Sequence, residues 1–200
     1  MSCNRITSNI AHQCLDKLKS GLKDRLYIFN FDDVNKTAST FDPTNKLILT
    51  SLVLKTASPV LSGYTLDGFN FSNEHDTALV KGKYIDNWDH NLTFRIFDNT
   101  PEVKEWINNA TNSRFIIVIE NNYSNKNASP SGTTVFEVLG WDNGLQISEA
   151  TRSTTDEDLK GAWTLKASCD EANKEPYPPY TLYYSGGESA TKSALEALVD

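Results

Sequence analysis

Apolar residues follow two different spacings along this chain, and the alternation between them predicts its elements. From Asn91 to Phe97 polar and apolar positions alternate, which puts Leu92, Phe94 and Ile96 on one face of a strand and Asn91, Thr93, Arg95 and Phe97 on the other. Arg114 to Glu120 is nearly continuous Phe, Ile and Val and reads as a central strand. Further strands are predicted at Leu26 to Phe31, Lys46 to Lys55, about 64–71, about 77–85, Thr133 to Trp141 and Ala162 to Ser168. Asn143-Gly144 falls between two apolar-alternating runs. That dipeptide is a strong hairpin signal, because both central residues of a type I′ turn need positive φ. The expectation is a tight hairpin across Gly140 to Ala150, with Trp141 and Leu145 as packing anchors.

Three stretches show helical spacing instead. Ile10, Cys14, Leu15, Leu18 and Leu22 recur three and four residues apart within Ile6 to Leu22. A short helix is predicted from Thr100 to Asn112. Thr100 suits its N-cap, Pro101 its first position, and Glu102 the positive end of its dipole. A third helix, about Glu188 to Val199, has an Ala/Leu face behind a Gly186-Gly187 hinge. Pro176-Tyr177-Pro178-Pro179-Tyr180 cannot be a central strand, because proline lacks the ladder donor. About nine short strands with one or two helices make a mainly β protein, expected as an antiparallel β sandwich or barrel. The expected organisation is one such domain over 1–172 with an N-terminal helix, followed by a Pro/Tyr-rich arm and helix over 173–200.

Composition narrows the classes of function. The chain has 200 residues and 38% hydrophobic residues, with nine Phe, eight Tyr and four Trp, enough for one core. A formal charge of −7 opposes general adhesion to nucleic acid or to an anionic membrane. No window approaches the roughly 18 apolar residues of a membrane span, and Met1 to Arg5 leads into no apolar leader segment. Three scattered cysteines, Cys3, Cys14 and Cys169, suit a reducing compartment, so synthesis in the cytosol is expected.

Candidate chemistry is sparse. His75-Asp76 and Asp89-His90 each offer an imidazole and a carboxylate, but a metal site needs three or more converging ligands. Both histidines stand in polar, turn-like surroundings remote from Cys169, so they read as solvated and no metal or cofactor is expected. His12 and Cys14, two apart on a helix, point to different faces. Gly186-Gly187-Glu188 lacks the Lys-Ser/Thr of a phosphate loop. The carboxylate pairs Asp32-Asp33, Asp156-Glu157-Asp158 and Asp170-Glu171 lie in predicted loops with no aromatic cleft around them, so an enzyme is not expected. Tyr64, Phe69, Phe71, Trp88, Trp141 and the C-terminal tyrosines could instead form a sugar-stacking platform. A carbohydrate-binding β-sandwich module, such as a receptor-binding or adhesin domain, is the second reading.

One layout gathers these features. An early helix leads to Arg25-Leu26-Tyr27-Ile28-Phe29-Asn30-Phe31-Asp32-Asp33-Val34, and a helix at 100–112 feeds the strand at 114–120. Phe136-Glu137-Val138-Leu139-Gly140 then runs through Asn143-Gly144 to Ala162-Trp163-Thr164-Leu165-Lys166-Ala167-Ser168. This order resembles small tail tube and tail hub proteins of tailed bacteriophages, those of Bacteroidetes phages and the crAss-like group included. The resemblance implies a virion protein made in the host cytoplasm, without cofactor or membrane insertion. It implies a homo-oligomeric ring, often a hexamer, that stacks on neighbouring tail or connector proteins and lines a channel for genome ejection. An acidic lining would let DNA pass without sticking. The long polar loops 32–46 and 121–132 and the tail 173–185 then read as subunit contacts. The residues singled out there are Phe41, Pro43, Tyr123, Tyr177, Tyr180, Tyr183 and Tyr184.

Overall fold

A computed structural model describes residues 21–69, 72–123, 133–155 and 161–199. Among the described residues the protein is mainly β, with a mixed sheet and two α-helices. In chain order the strands begin with β1 (Leu22–Asn30), β2 (Thr40–Phe41), β3 (Ile48–Ser51), β4 (Tyr64–Asp67), β5 (Glu74–Val80) and β6 (Asn87–Ile96). Helix α1 (Pro101–Ala110) follows, then β7 (Phe115–Asn121), β8 (Phe136–Leu139), β9 (Leu145–Arg152), β10 (Trp163–Cys169), β11 (Tyr180–Leu182) and α2 (Glu188–Glu196). The helix predicted at 6–22 lies outside the described residues except at its end. There Leu22, placed on its apolar stripe, instead opens β1 after Gly21.

β7 organises the sheet. On one edge it pairs antiparallel with β1, from Leu26↔Ile119 to Asn30↔Phe115. A strand has two edges, so β8 and β9, which also pair with β7, share the other one. Ile117 faces Leu139 and Phe115 faces Leu145, so one two-residue step along β7 spans six residues of its partner. The chain from Phe136 to Arg152 is therefore one long strand that extrudes a loop at 140–144. Beyond the loop the sheet forks. β8 continues into β11, β3 and β2, while β9 continues into β10, β6 and β5.

This corrects the predicted hairpin. β8 and β9 do not pair with each other, and the turn closes through a Gly144 N–H bond to the Gly140 carbonyl at 3.1 Å. Asn143-Gly144 serves a bulge instead, a device that bends a strand and raises its twist. Glycine is required at Gly140, where φ is +69° and a Cβ would come within 2.8 Å of the Leu145 backbone nitrogen.

The fork gives β1 and β7 a core on each face. Phe115, Ile117 and Ile119 pack with Leu26, Ile28, Leu92, Phe94, Leu165 and Ile107 of α1. Ile116 and Val118 pack on the opposite side with Tyr27, Phe29, Phe136, Leu182, Leu49 and Leu195 of α2. A strand covered on both faces reads as an unbroken apolar run, which explains the composition of 115–119. Thr100 caps α1 by accepting from the Val103 N–H, with Pro101 in the first turn.

Two further expectations change in the fold. The strand predicted at about 77–85 runs from Glu74 to Val80, and 81–86 forms the tip between β5 and β6. The C-terminal segment places a strand inside the sheet, with β11 antiparallel to β8 and parallel to β3. The prolines stay outside that ladder, because β11 begins at Tyr180, just after Pro179.

Candidate functional site

The loop at the fork is held by polar side chains from distant parts of the chain. Its Asp142 and Asn143 N–H groups donate to the two carboxylate oxygens of Glu175, at 2.9 and 2.8 Å. Glu175 is fully buried. It is fixed in turn by backbone bonds to Trp88 on β6, with Glu175 N–H to Trp88 O at 2.9 Å and the reverse at 2.7 Å. Asn143 donates its side-chain amide to the Lys174 carbonyl at 2.8 Å. The Tyr180 hydroxyl donates to the Asp142 carboxylate at 3.0 Å, and Lys36 Nζ donates to the Asp142 carbonyl at 3.0 Å. Lys36 also lies over the Phe31 ring, 3.7 Å from its centroid.

His90 completes this node from β6. Its ring bonds the Tyr177 carbonyl through Nε2 at 3.1 Å and meets the Gly140 N–H at Nδ1, 3.3 Å away. A carbonyl needs a donor and an N–H needs an acceptor, so these partners fix the neutral tautomer with its proton on Nε2. Burial, helped by the neighbouring His75, lowers the His90 pKa to about 4. Burial likewise raises Glu175 against the pull of its two N–H bonds, lowers Lys36, and raises Tyr180 and Cys169.

These directions bear on the chemistry the node can do. Cys169 touches the His90 backbone N–H at 3.4 Å, while the imidazole is engaged by Gly140 and Tyr177. A nucleophilic cysteine needs a lowered pKa and a base that takes its proton. Cys169 is buried, its pKa is raised, and the nearby ring is turned to other partners. Among the described residues no three His, Cys, Asp or Glu side chains converge to hold a metal. The arrangement is suited to holding backbone in place.

A second buried acid ties α2 to the centre of the sheet. Glu120, 1% exposed at its side chain, pairs with Lys23 of β1 and lies 3.7 Å from Lys192 of α2. Both cations are half exposed, so the anchor is a carboxylate in the protein with its counterions at the surface.

The residues singled out in the sequence separate into groups. Phe41, Tyr177 and Tyr180 meet in one aromatic cluster with Trp141, at centroid distances of 5.4 Å for Phe41–Tyr180, 5.7 Å for Phe41–Trp141 and 6.0 Å for Tyr177–Tyr180. Tyr180 is buried and Tyr177 is exposed at the edge of the cluster. Tyr184 bonds both backbone groups of Leu52 through its hydroxyl, accepting at 2.8 Å and donating at 3.1 Å. Tyr183 and Tyr123 are half-buried, Pro43 is exposed, and none of the three joins the cluster contacts. Trp141 and Leu145 are both buried.

The histidine reading is corrected. His75 and His90 sit on β5 and β6, not in turns, and His90 is fully buried against Cys169. Period two carries the core face of Leu92 and Phe94 back to position 90, a signal that starting the strand at 91 concealed. Glu175 has no comparable signal. Its partners are backbone amides more than thirty residues away, which no local pattern announces.

Two surface features lie outside the buried node. The β5–β6 ribbon is exposed toward its tip, where Leu79, Val80, Tyr84 and Ile85 show 45%, 38%, 86% and 71% of their surface. Between α1 and the β1–β4 pair there is a cleft of about 270 Å³. Ile28, Ala110 and Phe115 are buried at its floor, and Tyr64 and Trp106 line it. Asn30, Asn109 and Ser113 bring amide and hydroxyl groups to it, and its lining carries no charge. No family model matches the chain, and no curated protein or solved structure matches it either. No described helix is long and apolar enough to cross a membrane.

The node makes two predictions. Glu175→Ala leaves two half-buried N–H donors of the loop without their acceptor and should lower unfolding free energy by roughly 3 kcal/mol. Glu175→Gln keeps an acceptor and should cost less than half as much; equal losses in urea melts would refute the clamp. For His90 the folded pKa is about 4 against 6.5 for the free side chain, so the unfolded chain binds the proton first. Stability should therefore fall as pH drops from about 6.5 toward about 4, by about 3 kcal/mol from this group. Glu175, raised in the folded state, acts in the opposite direction as it protonates. The effect of His90 is thus read as the difference between wild type and His90→Gln, whose amide can replace both bonds. Parallel pH profiles for the two proteins would contradict the assignment.

Proposed function

We propose that this chain is a structural subunit that assembles with copies of itself, and that the assembly is a ring of a phage tail, as tube, hub or connector. The observation that carries the reading is the tip of the β5–β6 ribbon. Tyr84 and Ile85 stand 86% and 71% exposed just beyond Leu79 and Val80, and none of the four belongs to either core. Exposed apolar side chains gathered toward the end of a ribbon suit a contact surface. Tyr177, exposed at the edge of the Phe41–Trp141–Tyr180 cluster, offers a second. In this reading the two wings of the forked sheet complete a sandwich or barrel, and the net charge of −7 favours passage of DNA over adhesion. No residue of the buried node is assigned a catalytic role. The particle is the virion, with synthesis in the host cytoplasm and no membrane insertion.

The cleft favours one other reading, a carbohydrate-binding module, because Tyr64 and Trp106 line an uncharged site with amides at hand. Light scattering and negative-stain microscopy over a range of concentrations separate the two. The assembly reading expects closed rings whose mass is a multiple of the subunit, with no retention of duplex DNA at low salt. A protein that stays monomeric at every concentration and binds a glycan array would overturn it.

A further inference from the structure

The tip and the cleft complement each other, and they belong to different elements of the fold. The tip presents an aromatic ring with an aliphatic neighbour; the cleft, of about 270 Å³, presents aromatic walls over an apolar floor. Tyr84 is 86% exposed, so it does not occupy the cleft of its own chain.

Charge follows the same pairing. The tip carries Lys81 and Lys83 on either side of Gly82, with Lys83 5.2 Å from the Tyr84 ring centroid. On α1, Glu102 stands four residues before Trp106 and Glu105 four before Asn109. Residues at that spacing share a helix face, so both acids, exposed in this structure, flank the helix wall of the cleft.

We propose that Tyr84 and Ile85 of one copy insert into the cleft between α1 and β4 of the next, with Lys81 and Lys83 against Glu102 and Glu105. This contact rests on the assembly reading and specifies its geometry. Knob and cleft are different surfaces, so each subunit gives one and receives one. Such heterologous contacts propagate head to tail and close into a ring when the rotation per subunit permits. A buried tyrosine with charged neighbours is the kind of residue that dominates interface energetics.

The test uses two variants at exposed positions, so both keep the fold, which circular dichroism verifies. Tyr84→Ser/Ile85→Ser removes the knob and leaves the cleft. Asn109→Arg fills the cleft mouth and leaves the knob. Each variant alone should be monomeric, with self-association weakened by at least about tenfold. Mixed one to one they retain a single productive knob and a single productive cleft, and should form a dimer that grows no further. A second pair, Lys81→Glu/Lys83→Glu mixed with Glu102→Lys/Glu105→Lys, should restore association that each lacks alone. If Asn109→Arg still forms rings, or the mixture stays monomeric while wild type assembles, this contact is wrong and the assembly reading stands. If wild type itself never assembles and its cleft binds a glycan that Asn109→Arg abolishes, both fall.

Discussion

The carboxylate of Glu175 holds the point on which the rest of the fold turns. Where the strand 136–152 leaves β7 it extrudes residues 140–144, and the amides of that loop lie between two diverging wings. Neither wing's ladder can satisfy them. A buried N–H without an acceptor costs roughly 1–3 kcal/mol, and two such losses would consume much of the 5–15 kcal/mol that a domain of this kind has. Glu175 takes both, through its two oxygens. Burying the carboxylate raises its pKa and costs desolvation energy, which the two bonds offset in part. Lys36, Tyr180, Asn143 and His90 take part in further bonds of the loop.

With the loop held, the two cores follow. β7 is covered on both sides because the wing through β10 and β6 packs on one face and the wing through β11 and β3 on the other. Glu175 is also hydrogen-bonded to Trp88 near the start of β6. The same residue therefore braces the fork and the tip end of the ribbon, where Trp88 pairs with Leu79. In the assembly reading this is useful: a knob that docks on a neighbour loses less entropy if its base is rigid.

Local pattern made the strands visible and left their partners hidden. Leu92 and Phe94 declared their face by alternation, and 115–119 declared a central strand by its unbroken apolar run. Thr100-Pro101 declared the start of α1 through capping chemistry that acts within one turn. The same kind of signal misled at Asn143-Gly144. The dipeptide specifies a tight reversal of backbone, and the sheet uses that reversal to extrude a bulge, because Leu139 and Leu145 both pair with β7 rather than with each other. Tyr180 to Leu182 was concealed by the prolines before it and by a parallel partner, β3, far away in sequence. His90 was legible in principle, one period before Leu92. Glu175 was not, since an acid after Asn173-Lys174 looks like any solvated turn until its distant amide partners are in place.

Native-state hydrogen exchange of the Asp142 and Asn143 amides tests the central claim most directly. If the Glu175 clamp holds the fork, both amides should exchange only through global unfolding, with protection matching that of Ile117 and Val118 in β7. Fast exchange at 142 and 143 with β7 still protected would show that the loop opens by itself and that the fork does not depend on Glu175.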